Sequence, residues 1–417
     1  MKVFTLIRKA QLRPRQWNAD LAGGEVPPGM SSSDKVFYNN GAISFNEGEE
    51  LPPFEKSTVE NAKRLHLTNQ LITNAVDDVH TANDLGFDCD QFKASVRGNS
   101  MAGILDTSGG FVATDKSCRL ALYKARKHGV RFIFGQEAGA FYSFLKRGGD
   151  VIGIRTKDGR DHQAKLTIMA CGPQTPLLVP ELDHLCEATA GSVVVFKIPK
   201  TSPVFDQLSP TKFPTWMYNM RHGARGDGKE RSVPVTRWSE GDKMTQIPKQ
   251  AMDTIGSFVA RHMPEVLQEA GDVAFTRLCW YTDTFDNHFV IDRRPGRQGL
   301  MVVTGGSGQA FKFLPNIGNW VVDIIEGVGL DRPAIQAWRF RNPASVEHNF
   351  SEKFTTIEYS NDYLCFIVTH PLKQLLNEPF RVNWHVIDSN IQGPIFDSLR
   401  VNWLVPFRCM WRFIRSS

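Results

Sequence analysis

The residues best suited to chemistry lie between positions 277 and 312. Arg277-Leu278-Cys279-Trp280-Tyr281-Thr282-Asp283-Thr284 is followed by Phe289-Val290-Ile291-Asp292-Arg293, then by Gly305-Gly306-Ser307-Gly308-Gln309-Ala310-Phe311-Lys312. The glycine cluster joins the end of an apolar strand to the start of a helix. Glycine there lets a planar ligand approach the backbone closely, and the helix amino terminus offers N–H groups and a partial positive charge. Lys312 adds a full charge. Such a place suits an anion: a carboxylate, a phosphate, or a ring that becomes anionic on reduction. The same residues read equally well as a tight strand-to-helix turn with a solvated lysine. A nucleophilic Cys279 would need partial exposure and a favoured thiolate, to which Arg277 contributes only if it is near in space; otherwise the residue is a small buried hydrophobe. Trp280 and Tyr281 suit either a site wall or core packing. Asp292 reads as a cap or a partner of Arg293, and His222, within Arg221–Arg225, as part of a solvated basic loop.

The elements that must position these residues are clearest from about residue 107 onward. Thr114 or Asp115 can cap a helix whose apolar positions Cys118, Ala121, Leu122 and Ala125 fall at helical spacing. Basic residues fill its last turn and Gly129 stops it. Val130–Phe134 reads as a buried strand. A hairpin follows, Phe141–Leu145 and Val151–Thr156 around Gly148-Gly149, with a second turn at Asp158-Gly159. Leu166–Ala170 is a further strand running into Cys171-Gly172-Pro173. Farther on come a β-type run at Ser192–Phe196 and a helix over Pro248–His262 with Met252, Ile255, Phe258 and Val259 inward. Leu300–Thr304 is a buried strand, and the helix after it, opened by Pro315 and closed by Gly327, presents Ile317, Trp320, Val321 and Ile324 on one face.

Composition narrows the class. The 417 residues, 41% hydrophobic and 22% charged, can bury the cores of two or three domains. A net charge of +5 over 49 basic and 44 acidic residues, with no clustered basic block, argues against nucleic acid. The first eight residues are too short an apolar run for a secretory signal, and no stretch reaches the roughly 18 apolar residues of a membrane helix. Seven cysteines, with no Cys-x-x-Cys pair, argue against a disulfide framework and a zinc site and favour a reducing compartment. The eleven histidines show no metal spacing. The carboxyl end is not a Ser-Lys-Leu peroxisomal address, so a cytoplasmic location is expected.

Taken together, the three segments between 279 and 312 resemble the carboxy-terminal signature of the sarcosine oxidase, pipecolate oxidase and fructosyl-amino-acid oxidase family of FAD-dependent amine oxidases. Upstream, Gly109-Gly110-Phe111-Val112 with Gly129–Phe132 resembles the family's helix–strand unit, and Ala170-Cys171-Gly172 resembles the strand end that touches FAD. The resemblance runs from about residue 90 to 342 and is strongest over 275–327; Trp17–Asp20 and Phe37–Gly41 extend it weakly forward. It implies a mixed α/β fold of the DAO-type, glutathione-reductase-like class, with a Rossmann-like FAD-binding domain (91–185 and 276–342) and a β-rich substrate domain (186–275). Residues 1–90 would be a remnant of the family's amino-terminal region and 343–417 an atypical tail. Carried onto this sequence, the family pattern makes Cys279 the attachment point of FAD through a thioether. It makes Lys312 the partner of the substrate carboxylate. Ala170, Gly172, Gly306, Ser307, Gly308 and Phe311 would lie against the cofactor. Gln309 stands where many relatives have histidine, keeping the hydrogen bond but losing titration near neutral pH. The implied reaction oxidises a secondary amine with molecular oxygen, giving an imine and hydrogen peroxide, in a monomer.

One departure is large. No Gly-x-Gly-x-x-Gly lies between a strand and a helix in residues 1–110, where a relative would hold the pyrophosphate of FAD. Losing that βαβ unit is expected to leave a sheet edge and part of a core uncovered. The alternative expectation is therefore a truncated, non-catalytic remnant or scaffold that binds no FAD.

Overall fold

The computed structural model describes residues 15–341 except 91, 95, 183–184, 210–211, 219–233, 235–245 and 271–272. Residues 1–14, the His222 loop and the tail from 343 lie outside the described residues. Strands β1 (Phe37–Tyr38), β2 (Ala42–Glu47), β3 (Gln70–Ile72), β4 (Met101–Asp106) and β5 (Phe111–Val112) precede the Thr114–Lys127 helix. They are followed by β6 (Phe141–Arg147), β7 (Asp150–Thr156), β8 (Asp161–Gln163), β9 (Thr167–Met169), β10 (Cys186–Phe196), β11 (Thr215–Tyr218), β12 (Val273–Thr284), β13 (Val290–Arg293) and β14 (Leu300–Thr304). This is the mixed α/β architecture that the alternating helical and strand patterns imply.

Three assemblies matter for the site. The first is the sheet β13-β14-β9, in which β14 runs parallel to β9 and antiparallel to β13. Strand alternation sorts its side chains cleanly. Val290, Leu300, Val302 and Met169 face a core shared with Val151 and Val179, whereas Ile291 and Met301 face Phe313, Ile324, Ile335 and Trp338. The Ile317–Glu326 helix covers that second face and ends at Gly327 in the left-handed region, φ +75°. The second assembly is the β6-β7-β8 meander, in which Gly148 turns at φ +61° as its place in the hairpin requires. The third is a long antiparallel ribbon of β10 and β12. Apart from these, β11-β2-β4-β3 forms a sheet whose core holds Ile43, Phe45, Leu105, Trp216 and Phe258, the last from the Lys249–His262 helix.

Several local expectations need correcting. Ala113, not Thr114 or Asp115, precedes the Thr114–Lys127 helix, which places Asp115 in the first turn where its charge complements the helix dipole. Of the expected inward positions on that helix only Cys118 is buried; Leu120 is buried instead, against Leu21 and Val36. Val130–Phe134 forms no strand, and Val130 and Ile133 are about half exposed (50% and 48%). The physical reason is a missing ladder: a strand needs hydrogen-bonded partners, and no described strand pairs with this run. β9 is the edge of its sheet among the described residues, with Ile168 40% exposed. Among the described residues no helix is long and apolar enough to cross a membrane.

Candidate functional site at the ends of two parallel strands

Ligands of open α/β sheets bind beyond the carboxyl ends of parallel strands, and here those ends belong to β9 and β14. The chain leaving β9 passes through exposed Ala170 and partly buried Cys171 into a 3-10 turn at Gly172–Gln174, with Gly172 at φ +53°. The chain leaving β14 enters the glycine turn. Thr304 Oγ1 donates to the Gly172 carbonyl at 3.5 Å and so links the two ends. The Cys171 thiol is pushed up by burial, which keeps it protonated.

The glycine turn is a tight, left-handed structure. Gly305, Ser307 and Gly308 have φ of +73°, +45° and +68°. A side chain at Ser307 is unusual in that region and stores roughly 1 kcal/mol or more of strain. Its own hydrogen bonds offset this. Ser307 N–H donates to the Thr282 carbonyl at 2.8 Å, the Thr284 N–H donates to Ser307 Oγ at 3.1 Å, and the two hydroxyls lie 3.0 Å apart. The turn is thereby fastened to β12. Gln309 follows, buried, its Nε2 donating to the Asn287 carbonyl at 2.7 Å. That bond fixes which end of the amide is the donor. A short 3-10 helix, Ala310–Phe313, then carries Phe311 and Lys312; the Lys312 ammonium is buried and lies 5.3 Å from the Phe313 ring centroid. The α-helix begins only at Ile317, later than the expected opening at Pro315, because Asn316 N–H and Asn319 N–H still close i→i+3 turns.

Cys279 lies on β12, upstream of the residues that hold the turn. It is in no disulfide and is 1% exposed. Alternation along β12 places Arg277, Cys279, Tyr281 and Asp283 on one face and Trp280, Thr282 and Thr284 on the other. Arg277 therefore does share a face with Cys279. Thr284, whose hydroxyl touches Ser307, faces the opposite way. Directly across from Cys279 is Gly191, and the Tyr281 ring lies over it: a Cβ at Gly191 would come within 3.1 Å of that ring. Asp292 accepts backbone N–H bonds from Arg293 and Phe340, a capping role rather than an ion pair.

The structure thus brings Gly172, Gly306, Ser307, Gly308 and Gln309 together, sets Phe311 and Lys312 on the turn that follows, and places Cys279 on the adjoining strand. Thr284, Thr304, Gly191 and the turn carrying Asn287 were not singled out from sequence. The alternation of Thr282 and Thr284 was a usable signal for the first of these. Nothing local connects Asn287 with Gln309.

Two buried polar atoms here have no hydrogen-bond partner among the described residues: Gln309 Oε1 and the Trp280 indole nitrogen. Gln309 Oε1, an open acceptor on the residue that follows the glycine turn, fits an N–H on the polar edge of a flavin ring; the Trp280 indole lies farther back along β12, against Ala188 and Leu278. The pyrophosphate half of FAD needs a second strand–glycine–helix unit. Among the described residues, no such unit adjoins the open edge of β9.

Comparison with known proteins gives the family and the fold. Residues 38–324 match the family model described as FAD dependent oxidoreductase, more than half of the chain. L-saccharopine oxidase of Schizosaccharomyces pombe is 27% identical over 276 residues, 60% of this chain and 63% of the relative. Human peroxisomal sarcosine oxidase is 26% identical over 246 residues, covering 53% and 58%. The chain therefore spans less than two thirds of the length of these curated relatives. The modified fructosyl peptide oxidase from Aspergillus nidulans superposes with a TM-score of 0.59 at 22% identity, over 73% of this chain and 75% of that one, a likeness of fold.

Proposed function

This chain belongs to the FAD dependent oxidoreductase family, and on that premise we propose that it oxidises the C–N bond of a secondary amine bearing a carboxylate. The relatives point to the substrate class: saccharopine, sarcosine and N-methyl-L-tryptophan are all N-substituted amino acids. The observation that carries the proposal is the glycine turn at the carboxyl end of β14, hydrogen-bonded to β12 and joined to the Gly172 turn, with Gln309 and Lys312 immediately after it.

Bound FAD would supply the acceptor for the two electrons leaving the amine carbon and pass them to oxygen, so that a C–H and an N–H of the amine become a C=N bond and O2 becomes H2O2. The chain's own residues would bind and orient. The Lys312 ammonium pairs with the substrate carboxylate. Gly306, Ser307, Gly308 and Phe311 lie against the ring, with Ala170 and Gly172 beside them. Gln309 Oε1 accepts a hydrogen bond from a bound N–H, and its amide cannot titrate, so this contact is insensitive to pH near neutrality. Cys279, sharing a strand face with Arg277, would hold the flavin by a thioether; at 1% exposed and on the face opposite Thr284, it would do so only once its thiol is reached from that side. Residues 91–185 with 276–342 would form the cofactor side and residues 186–275 the substrate side, except that β4 (Met101–Asp106) joins β11 through β2 and so goes with the substrate-side sheet. Positioning and charge suffice for such a reaction without a nucleophilic triad.

The open edge of β9 and the absence of a glycine fingerprint in residues 1–110 favour a second reading, a non-catalytic remnant that binds no FAD. Purification of the full chain separates the two. A yellow protein whose colour survives acid precipitation, and which releases peroxide with sarcosine, pipecolate or a fructosyl amino acid, supports the oxidase. A colourless protein that takes up no added FAD supports the remnant.

A further inference from the structure

The turn between β12 and β13 is held by a buried ion pair that the proposed chemistry does not use. Arg341 Nε and Nη2 donate to the two oxygens of Asp286 at 2.7 and 2.5 Å, with the side chains 12% and 6% exposed. The guanidinium does more than pair. Its Nη1 donates to the carbonyls of Phe289 and Arg339, both at 3.1 Å, and its Nη2 to the carbonyl of His288 at 3.3 Å. Inside the turn, Asp286 Oδ1 also accepts from the His288 N–H at 3.1 Å, and Thr284 Oγ1 donates to the His288 carbonyl at 2.7 Å. Asn287 sits at φ +64°, a conformation that survives only where its surroundings impose it. Its carbonyl is the acceptor that ties down Gln309 Nε2.

We infer that Arg341 and Asp286 form a clamp that positions Gln309, acting through the Asn287 carbonyl, and so decide that the amide presents its oxygen rather than its nitrogen to a bound ligand. The chain of contacts is continuous: Arg341 fixes Asp286 and the His288 and Phe289 carbonyls, these fix the strained residue between them, and that residue's carbonyl holds the amide. Only a planar fork with five donors can serve a carboxylate and three carbonyls at once; lysine keeps the charge but not the geometry. Arg341 also lies beyond residues 38–324, the segment matched by the family model, so the clamp reaches from outside that segment into the candidate site. Both residues are positioning residues, since neither touches the place where a ligand would lie. The inference rests on the reading of Gln309 as a ligand-facing acceptor.

The test uses the full chain and begins with the unaltered protein. The side-chain amide signals of Gln309 are identified in the NMR spectrum by their loss in Gln309→Glu. They should exchange with solvent more slowly than those of surface glutamines. In Arg341→Lys, and independently in Asp286→Asn, exchange should accelerate. Added FAD should bind these variants on the order of tenfold more weakly, and the same replacements in a Gln309→Ala background should cause no further loss, as expected for residues acting through one contact. Fast exchange in the unaltered protein, unchanged exchange in Arg341→Lys, or an equal loss of FAD binding in the Gln309→Ala background would each overturn the clamp. If the unaltered protein binds no FAD, the cofactor reading fails while the exchange measurement still decides the clamp.

Discussion

Replacing Gly305 by alanine probes the site at its tightest point. The residue has φ +73°, and a Cβ there would lie 2.7 Å from Thr284 Cγ2, 3.0 Å from the Val290 nitrogen and 3.2 Å from the His288 carbonyl oxygen. Two effects add. An L-residue in the left-handed region costs about 1–2 kcal/mol, and forcing a methyl into a filled site costs about 1–3 kcal/mol more. The upper part of that range applies, because the neighbours cannot move aside. Thr284 is fully buried, with its hydroxyl engaged by His288 and Ser307, and the other two contacts are backbone. The expected loss is therefore about 3–5 kcal/mol. Gly296 supplies an internal control: its φ is +70°, but nothing lies within 4 Å of an added Cβ. Gly296→Ala should lose only the backbone part, about 1–2 kcal/mol. Urea unfolding followed by tryptophan fluorescence, run on both variants, reads the difference. If Gly305→Ala and Gly296→Ala are destabilised equally, the glycine turn is not packed as described and the steric argument fails.

Three further outcomes can be checked. His262 is buried among Phe92, Tyr218 and Phe258, and burial pushes its pKa down from 6.5 to about 4, with Arg261 pushing the same way. Because the unfolded chain binds that proton more readily, the stability tied to neutral His262 is complete above pH 6.5 and is lost as pH falls toward 4, by on the order of 3 kcal/mol; His262→Phe should flatten the urea midpoint over that window, and parallel pH profiles for both proteins would contradict it. Cys279→Ser should leave FAD uptake possible but abolish colour in the acid precipitate, and retained colour would exclude Cys279 as the attachment point. Gly191→Ala places a methyl 3.1 Å from the Tyr281 ring without left-handed strain, so it should change KM for the amine more than the unfolding midpoint. A shift in the midpoint with kinetics untouched would show that Tyr281 merely packs.

Much of the site was legible because its parts are local. An unbroken apolar run reads as β14, three glycines within four residues mark the turn after it, and the Ile317–Glu326 helix carries an apolar face closed by glycine. The β6–β7 hairpin has the same property: turn and strands are contiguous. What escaped was non-local. Gly191 becomes important only because β10 and β12 pair in a register that sets it against Cys279, and residues some 90 positions apart carry no mutual signal in one sequence. Asp286 and Arg341 are 55 residues apart, and either alone reads as a solvated charge. Gln309 was visible as a polar residue in the right place, but the direction of its amide depends on a carbonyl 22 residues earlier.

The failure at Val130–Phe134 has a different origin and says more about the molecule. Alternating apolar residues state what a segment can bury, whereas a strand also needs a neighbour to complete its hydrogen bonds. The structure leaves Val130, Ile133, Ile168 and Leu177 between 40% and 50% exposed, and fully covering side chains of this kind would be worth about 1.5–3 kcal/mol each. Ile168 among them lies on the open edge strand β9, the strand whose carboxyl end helps to build the candidate site. A parallel strand laid along β9 would satisfy that ladder, and its own carboxyl end would fall beside Ala170, where the second half of a dinucleotide would need its glycine turn. Among the described residues, the uncovered edge and the lack of a pyrophosphate cradle are thus one feature seen from two directions. That is why the question of FAD binding and the question of how this sheet is completed have the same answer.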